Sequence, residues 1–327
     1  MLEFGNQFKN NHITHIYFSH GTFVGNDPFG LVRALEIPFP IATRKAVHYL
    51  KHKNFHQSNK ILKDQANYLP SYVKLFETAI GNEIPCHNFI WSSGNYHAAR
   101  VSGAFKLLNQ IVFDMKSTKV KQPHRILLIG HSHAGQVFAL LSNLIEYTAL
   151  GKTLAEVSSQ HGFCDKTKLH ALIDQVAKLK LDYALFGTPY IYPWPKRSAR
   201  NLINIINHRN HPYLAGRRRG ILFTTDGDYV QQWGITGSDF KAMTSQERKF
   251  NKDLDKILGD GTNRTTWQEQ TRSRLRVPPF GKTYLIDYKD NSHLVPNCFN
   301  TIFGHGIYTR FQTMHFNTRI ICEALYT

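Results

Sequence analysis

The chain has 327 residues, 42% of them hydrophobic and 19% charged, which excludes a disordered or fibrous protein and allows a large buried core. Lysine and arginine total 40 against 23 acidic residues, a net charge of +17 that attracts anionic partners, nucleic acid or lipid, without choosing between them. Solubility alone explains such an excess equally well. The length suits one elaborated domain spanning 1–327. Cys86, Cys164, Cys298 and Cys322 lack the spacings of a zinc site or a disulfide framework and read as reduced, mostly buried thiols. The opening MLEFGNQFKNNHITH lacks the basic start and apolar run of a secretory signal, and no stretch approaches the roughly 18 apolar residues of a spanning helix. A soluble, cytoplasmic protein is expected, with export by a signal-independent route left open.

In chain order, HITHIYFSHGTF predicts a buried strand that runs into the loop at His20-Gly21. From about residue 38 to 84 the apolar positions, Val47, Leu50, Phe55, Ile61, Leu69 and Leu75 among them, take helical spacing within a Lys- and His-rich stretch, which predicts a helical insertion. CHNFIW reads as a strand and NYHAARVSGAFKLLNQIVFDM as a helix with Val101, Phe105, Leu108, Ile111 and Val112 on its apolar face. KQPHRILLIG is a continuous apolar run, the mark of a strand covered on both faces. QVFALLSNLIEYTAL follows with helical period and is predicted to stop at Gly151. KTKLHALIDQVAKL predicts a further helix, LDYALFG a strand ending at Gly187, and GILFTT another strand that leads into DGDYV. The charged stretch from about 238 to 277 has no strand pattern and reads as a second insertion. KTYLIDY is the last strand and YTRFQTMHFNTRIICEAL a terminal helix. Strands alternating with helices mean an α/β fold: a mostly parallel sheet with helices on both faces.

Between the RILLIG strand and the following helix stands Gly130-His131-Ser132-His133-Ala134-Gly135. It fits G-x-S-x-[AG]-G, with Ala134 where the stricter pattern has glycine, and its strand-turn-helix context is the one in which a strained serine projects its hydroxyl above a sheet. The N-terminal N–H groups of the helix would face the same point. Paired histidines around a serine also raise a metal site. Histidines at i and i+2 meet one ion only on a strand-like backbone, however, and no H-E-x-x-H or CxxC pattern supplies further ligands, so no metal is expected.

Four signals in order, HGTF, GHSHAG, FGTPY and GHG, make the chain resemble the α/β-hydrolase superfamily, in particular its lipase-like and esterase-like members. The resemblance runs from about Ile13 to the C-terminus, outside the two insertions. It implies Ser132 as nucleophile, Asp228 as triad acid with Asp226 as its rival in the same loop, and His305 as base with His293 as the alternative. His315 falls in the final helix. The oxyanion hole would come from the backbone N–H groups of His133 and Thr22, with Phe23 able to replace Thr22. His20 reads as a structural hydrogen-bonding residue and His131 as a packed residue below the turn. The insertions stand where the fold carries lids, and IYPWP would place aromatics at the pocket mouth. Arg217 to Gly220, RRRG, offers phosphate groups a basic turn or is simply solvated.

The implied activity is that of a serine carboxylic-ester hydrolase acting on lipid-like esters through an acyl-enzyme, with no cofactor and with peripheral contact to anionic membrane. Two alternatives stand beside it: a hydrolase fold without chemistry that binds anionic lipid or nucleic acid, and an acyltransferase, thioesterase or amidase with the same triad. No helix-turn-helix, zinc-finger or RNA-binding signature appears, so no specific nucleic-acid partner is expected. The sequence is silent on oligomeric state.

Overall fold

The computed structural model describes residues 1–22, 64, 67–117, 125–208, 227–273, 277–289 and 304–327. Phe23, Asp226, His293, Cys298, the GILFTT run, the RRRG turn and most of the first insertion lie outside the described residues.

Six parallel strands form one sheet in the order β2-β1-β3-β4-β5-β6. They are β1 (Ile13–Ser19), β2 (Cys86–Phe89), β3 (Arg125–His131), β4 (Lys180–Phe186), β5 (Leu202–Asn207) and β6 (Lys282–Ile286). Side chains of a strand alternate between faces, and the run RILLIG shows why it must be central. Ile126 and Leu128 point into one apolar cluster with Tyr17, Tyr183 and Leu185. Leu127 and Ile129 point into the other with Ile16, Phe18, Ala184 and Phe186. Every one of these side chains is buried, so both faces need a helical cover.

Helix α1 (Leu2–Asn10), α2 (Pro70–Ala79) and α11 (Met314–Leu325) cover the second face through Phe4, Phe8, Phe76 and Ile321. The first face is covered by α3 (His97–Ser117), α4 (Ala134–Ile145), α5 (Ala149–Gln160) and α6 (Lys166–Val176). Between β4 and β6 lie the short α7 (Lys196–Ala199) and α8 (Tyr229–Trp233), then α9 (Ser245–Leu258) and α10 (Arg264–Arg272). The second charged stretch is thus helical in large part, and α9 joins the first face through Phe250 and Leu254. Each such buried Leu or Phe contributes about 1.5–3 kcal/mol.

Four details differ from the sequence reading. Strand β5 and helix α1 were not expected, although LINIIN is a β-branched apolar run and Phe4 and Phe8 stand at i and i+4. The helix after Ser132 ends at Ile145, not Gly151, because Tyr147 turns to a φ of 47° and Thr148 caps a new helix by accepting the Gly151 N–H. Tyr192 and Trp194 of IYPWP do not line a mouth; both are buried. Of the three described cysteines only Cys322 is fully buried, Cys86 and Cys164 being half-buried, and all three are unpaired. No helix among the described residues is long and apolar enough to cross a membrane.

The strand order itself marks a place. From β1 the chain steps outward to β2, then crosses back over β1 to start β3, so connections diverge on either side of the β1/β3 boundary. In open parallel sheets ligands bind in the crevice this reversal leaves at the C-terminal ends of the strands.

Candidate active site

Ser132 stands at that crevice, between the last residue of β3 and the first turn of α4. Its φ of 56° is left-handed backbone that a side-chain-bearing residue adopts only when its surroundings enforce it. They do so here from the end of β4: the Ser132 N–H donates to Phe186 O at 2.9 Å, and the Thr188 hydroxyl donates to Ser132 O at 2.9 Å. The end of β1 comes so close that a Cβ on Gly21 would lie 2.5 Å from Ser132 Cβ. Glycine is therefore required where this loop passes the serine.

The sequence-predicted acid and base meet. Asp228 and His305 lie 77 positions apart, yet His305 Nδ1 is 2.9 and 2.8 Å from the two carboxylate oxygens of Asp228. Asp228 follows β5, to which its N–H donates at Asn207 O, 3.1 Å, and it caps α8 by accepting the Gln231 N–H at 2.8 Å. His305 follows β6 and precedes α11. Because a carboxylate only accepts, Nδ1 carries the proton and Nε2 is left as the basic nitrogen. That Nε2 is buried and takes no hydrogen bond among the described residues, Ser132 included.

The two histidines around Ser132 have separate tasks. His131 Nε2 donates to His305 O at 2.8 Å, and the two rings pack with centroids 4.4 Å apart. His133 Nε2 donates to Gly234 O at 2.8 Å, while its Nδ1 accepts from the Thr22 hydroxyl. Burial, aided by the charge of Arg100, pushes the His133 pKa down to about 3, so the ring is neutral at ordinary pH and its tautomer is fixed by the Gly234 carbonyl. Thr22 and His133, the two residues expected to supply oxyanion N–H groups, are in this way joined side chain to side chain. Neither N–H donates to another backbone group among the described residues. Nor do the histidines converge on an ion: among the described residues no three His, Cys, Asp or Glu side chains form a metal-ligand set.

The loop of Thr22 is built from β2. Trp91 Nε1 donates to His20 O at 2.9 Å and the Ser93 hydroxyl donates to Gly21 O at 2.8 Å. His20 has the structural role expected of it: it is fully buried, its Nδ1 lies 3.0 Å from Gly21 O, and burial lowers its pKa to about 4. His315 lies in α11, as expected.

Residues that sequence reasoning passed over complete the frame. The fully buried Arg100 donates to both carboxylate oxygens of Asp239, to the Tyr192 hydroxyl at 2.7 Å and to Asn95 Oδ1 at 2.8 Å. The ion pair pins the segment 228–239, which carries Asp228 at one end and Gly234 in its middle, to the first turn of α3. An arginine in the first turn of a predicted apolar helix was the available signal. Beside this segment a cavity of about 120 Å³ is lined by Tyr190, Ile235, Val277, Pro278 and Gln231.

Comparison of the chain with protein-family models, with curated proteins and with solved structures finds no match.

Proposed function

We propose that the chain is a serine carboxylic-ester hydrolase of lipase or esterase type with an α/β-hydrolase fold. One observation carries the reading: an Asp228-His305 pair, buried and oriented Nδ1 to carboxylate, is held against the elbow that strains Ser132. The order of the parts supports it, with serine after β3, acid after β5 and histidine after β6, in the chain order Ser, Asp, His of such enzymes.

The chemistry follows from the geometry. His305 Nε2 accepts the Ser132 hydroxyl proton as Oγ attacks the ester carbonyl, and Asp228 stabilises the imidazolium that forms. The oxyanion is received by the N–H groups of His133 and Thr22, each such donor being worth about 3–4 kcal/mol to a transition state. The proton passes to the departing alkoxide, the C–O bond of the ester breaks, and the acyl group stays on Oγ. Water then attacks the acyl-enzyme, with His305 taking its proton and returning it to Oγ as the acid departs. This sequence uses no metal or organic cofactor. The net charge of +17 supports contact with anionic lipid.

The test is Ser132→Ala with a graded series of acyl esters, with and without anionic liposomes, alongside a fluorophosphonate label. Turnover and labelling should both vanish in the variant. Ester turnover that survives without Ser132 rejects the reading, and a wild type inert to both ester and label leaves a fold that binds without chemistry.

A further inference from the structure

Resting on the proposed hydrolase reading, we infer that Tyr308 is a positioning residue of the triad, holding the Asp228 carboxylate and limiting how strongly it binds the His305 proton. Its hydroxyl donates to Asp228 Oδ2 at 2.7 Å, the same oxygen that lies 2.8 Å from His305 Nδ1. The tyrosine oxygen in turn accepts the N–H of Asn207, the last residue of β5, at 2.8 Å. A line of bonds thus runs from the sheet backbone through Tyr308 and Asp228 to the base.

The packing holds the tyrosine ring from two sides. Gly187, with φ of 57° at the end of β4, allows the approach: a Cβ there would lie 2.5 Å from Asp228 Oδ2 and 2.6 Å from Tyr308 Cε2. On its other side the ring meets Tyr288 edge-on at 5.4 Å and Phe186 at 6.0 Å. Burial, and then the charge of Asp228, raise the Tyr308 hydroxyl well above its usual pKa, so it remains a donor wherever the enzyme works. Around the pair the other described titratable groups are His131, whose ring packs tilted against His305, His133, whose charged form His305 disfavours, and Tyr288, whose ring meets that of Tyr308 edge-on. Tyr308 and His305 both bond the carboxylate through their side chains.

A donor to the carboxylate spreads its charge and weakens its hold on the imidazolium. Removing that donor makes Asp228 the stronger acceptor, so the imidazolium is held more tightly and gives up its proton less readily. Tyr308→Phe should retain the fold, since the ring stays, and should lower kcat about tenfold with KM little changed, while the acidic limb of kcat/KM moves up by about half a pH unit. The His305 Nδ1 proton resonance should move downfield as its bond to Asp228 shortens. A limb and a resonance that stay at their wild-type positions, whatever the loss in melting temperature, overturn the assignment and make Tyr308 a packing residue. Failure of the hydrolase reading is a separate result: it would appear in the wild type, as absence of Ser132-dependent turnover.

Discussion

The two halves of the site are held by different physical means. On the β1/β3 side the frame is short-range and neutral: a strained serine, a glycine passing it, and an uncharged His133 bonded to Thr22 and Gly234. On the β5/β6 side it is long-range and ionic: a fully buried carboxylate that takes bonds from Gln231, Tyr308 and His305. A buried charge loses far more than a neutral group when a partner is withdrawn, because nothing else in the interior can solvate it. The ionic half should therefore be the brittle one and the neutral half the tolerant one.

The largest effect should come from the ionic side. Asp228→Asn keeps the shape but favours the wrong His305 tautomer, and kcat should fall by on the order of a thousandfold or more in steady-state ester assays. A loss below tenfold would break the contrast. Gly187→Ala adds the carbon that Asp228 and Tyr308 exclude and strains a left-handed residue. Denaturant titration should show about 1–3 kcal/mol of lost stability, and activity should fall with it. On the neutral side, Thr22→Val removes only the hydroxyl that meets His133. We expect roughly a tenfold lower kcat, unchanged KM and restoration by Thr22→Ser, since a preorganised oxyanion site is loosened without an ion being orphaned.

The last effect falls on stability rather than turnover, as a pH dependence. The unfolded chain protonates His133 near 6.5 and the folded chain only near about 3, with His20 behaving alike near about 4. The unfolded state binds the extra protons in that window, so stability is fully present above pH 6.5 and declines as pH falls toward 3, by about 1 kcal/mol per pH unit for each ring. Urea titrations at pH 7, 5.5 and 4 should show this slope, and His133→Gln should flatten part of it.

Legibility followed sequence distance. Ser132 could be read because the strand, the turn and the first turn of α4 lie within a dozen consecutive residues, and each obeys a local steric rule. His305 was legible from its glycines and its place between β6 and α11. Asp228 was readable only as one of two acids in a loop; its contact with His305 depends on β5, a strand read past in favour of GILFTT. Tyr308 carried no signal at all, since a tyrosine three residues beyond a histidine is commonplace until the end of β4 brings Gly187 against it. His131 and His133 were read as secondary to the serine, yet their side chains connect its turn to three other loops. That role depends on carbonyls at 305 and 234, which no local pattern announces.

Those same two imidazoles make the elbow report on distant parts of the chain. Amides of segment 228–239 and of the 304–309 turn cannot open without releasing a bond to a neighbour of Ser132, so hydrogen exchange in both should share one opening free energy with the start of α4. Ser132, Asp228 and His305 then form a single cooperative unit, and partial unfolding parts all three together.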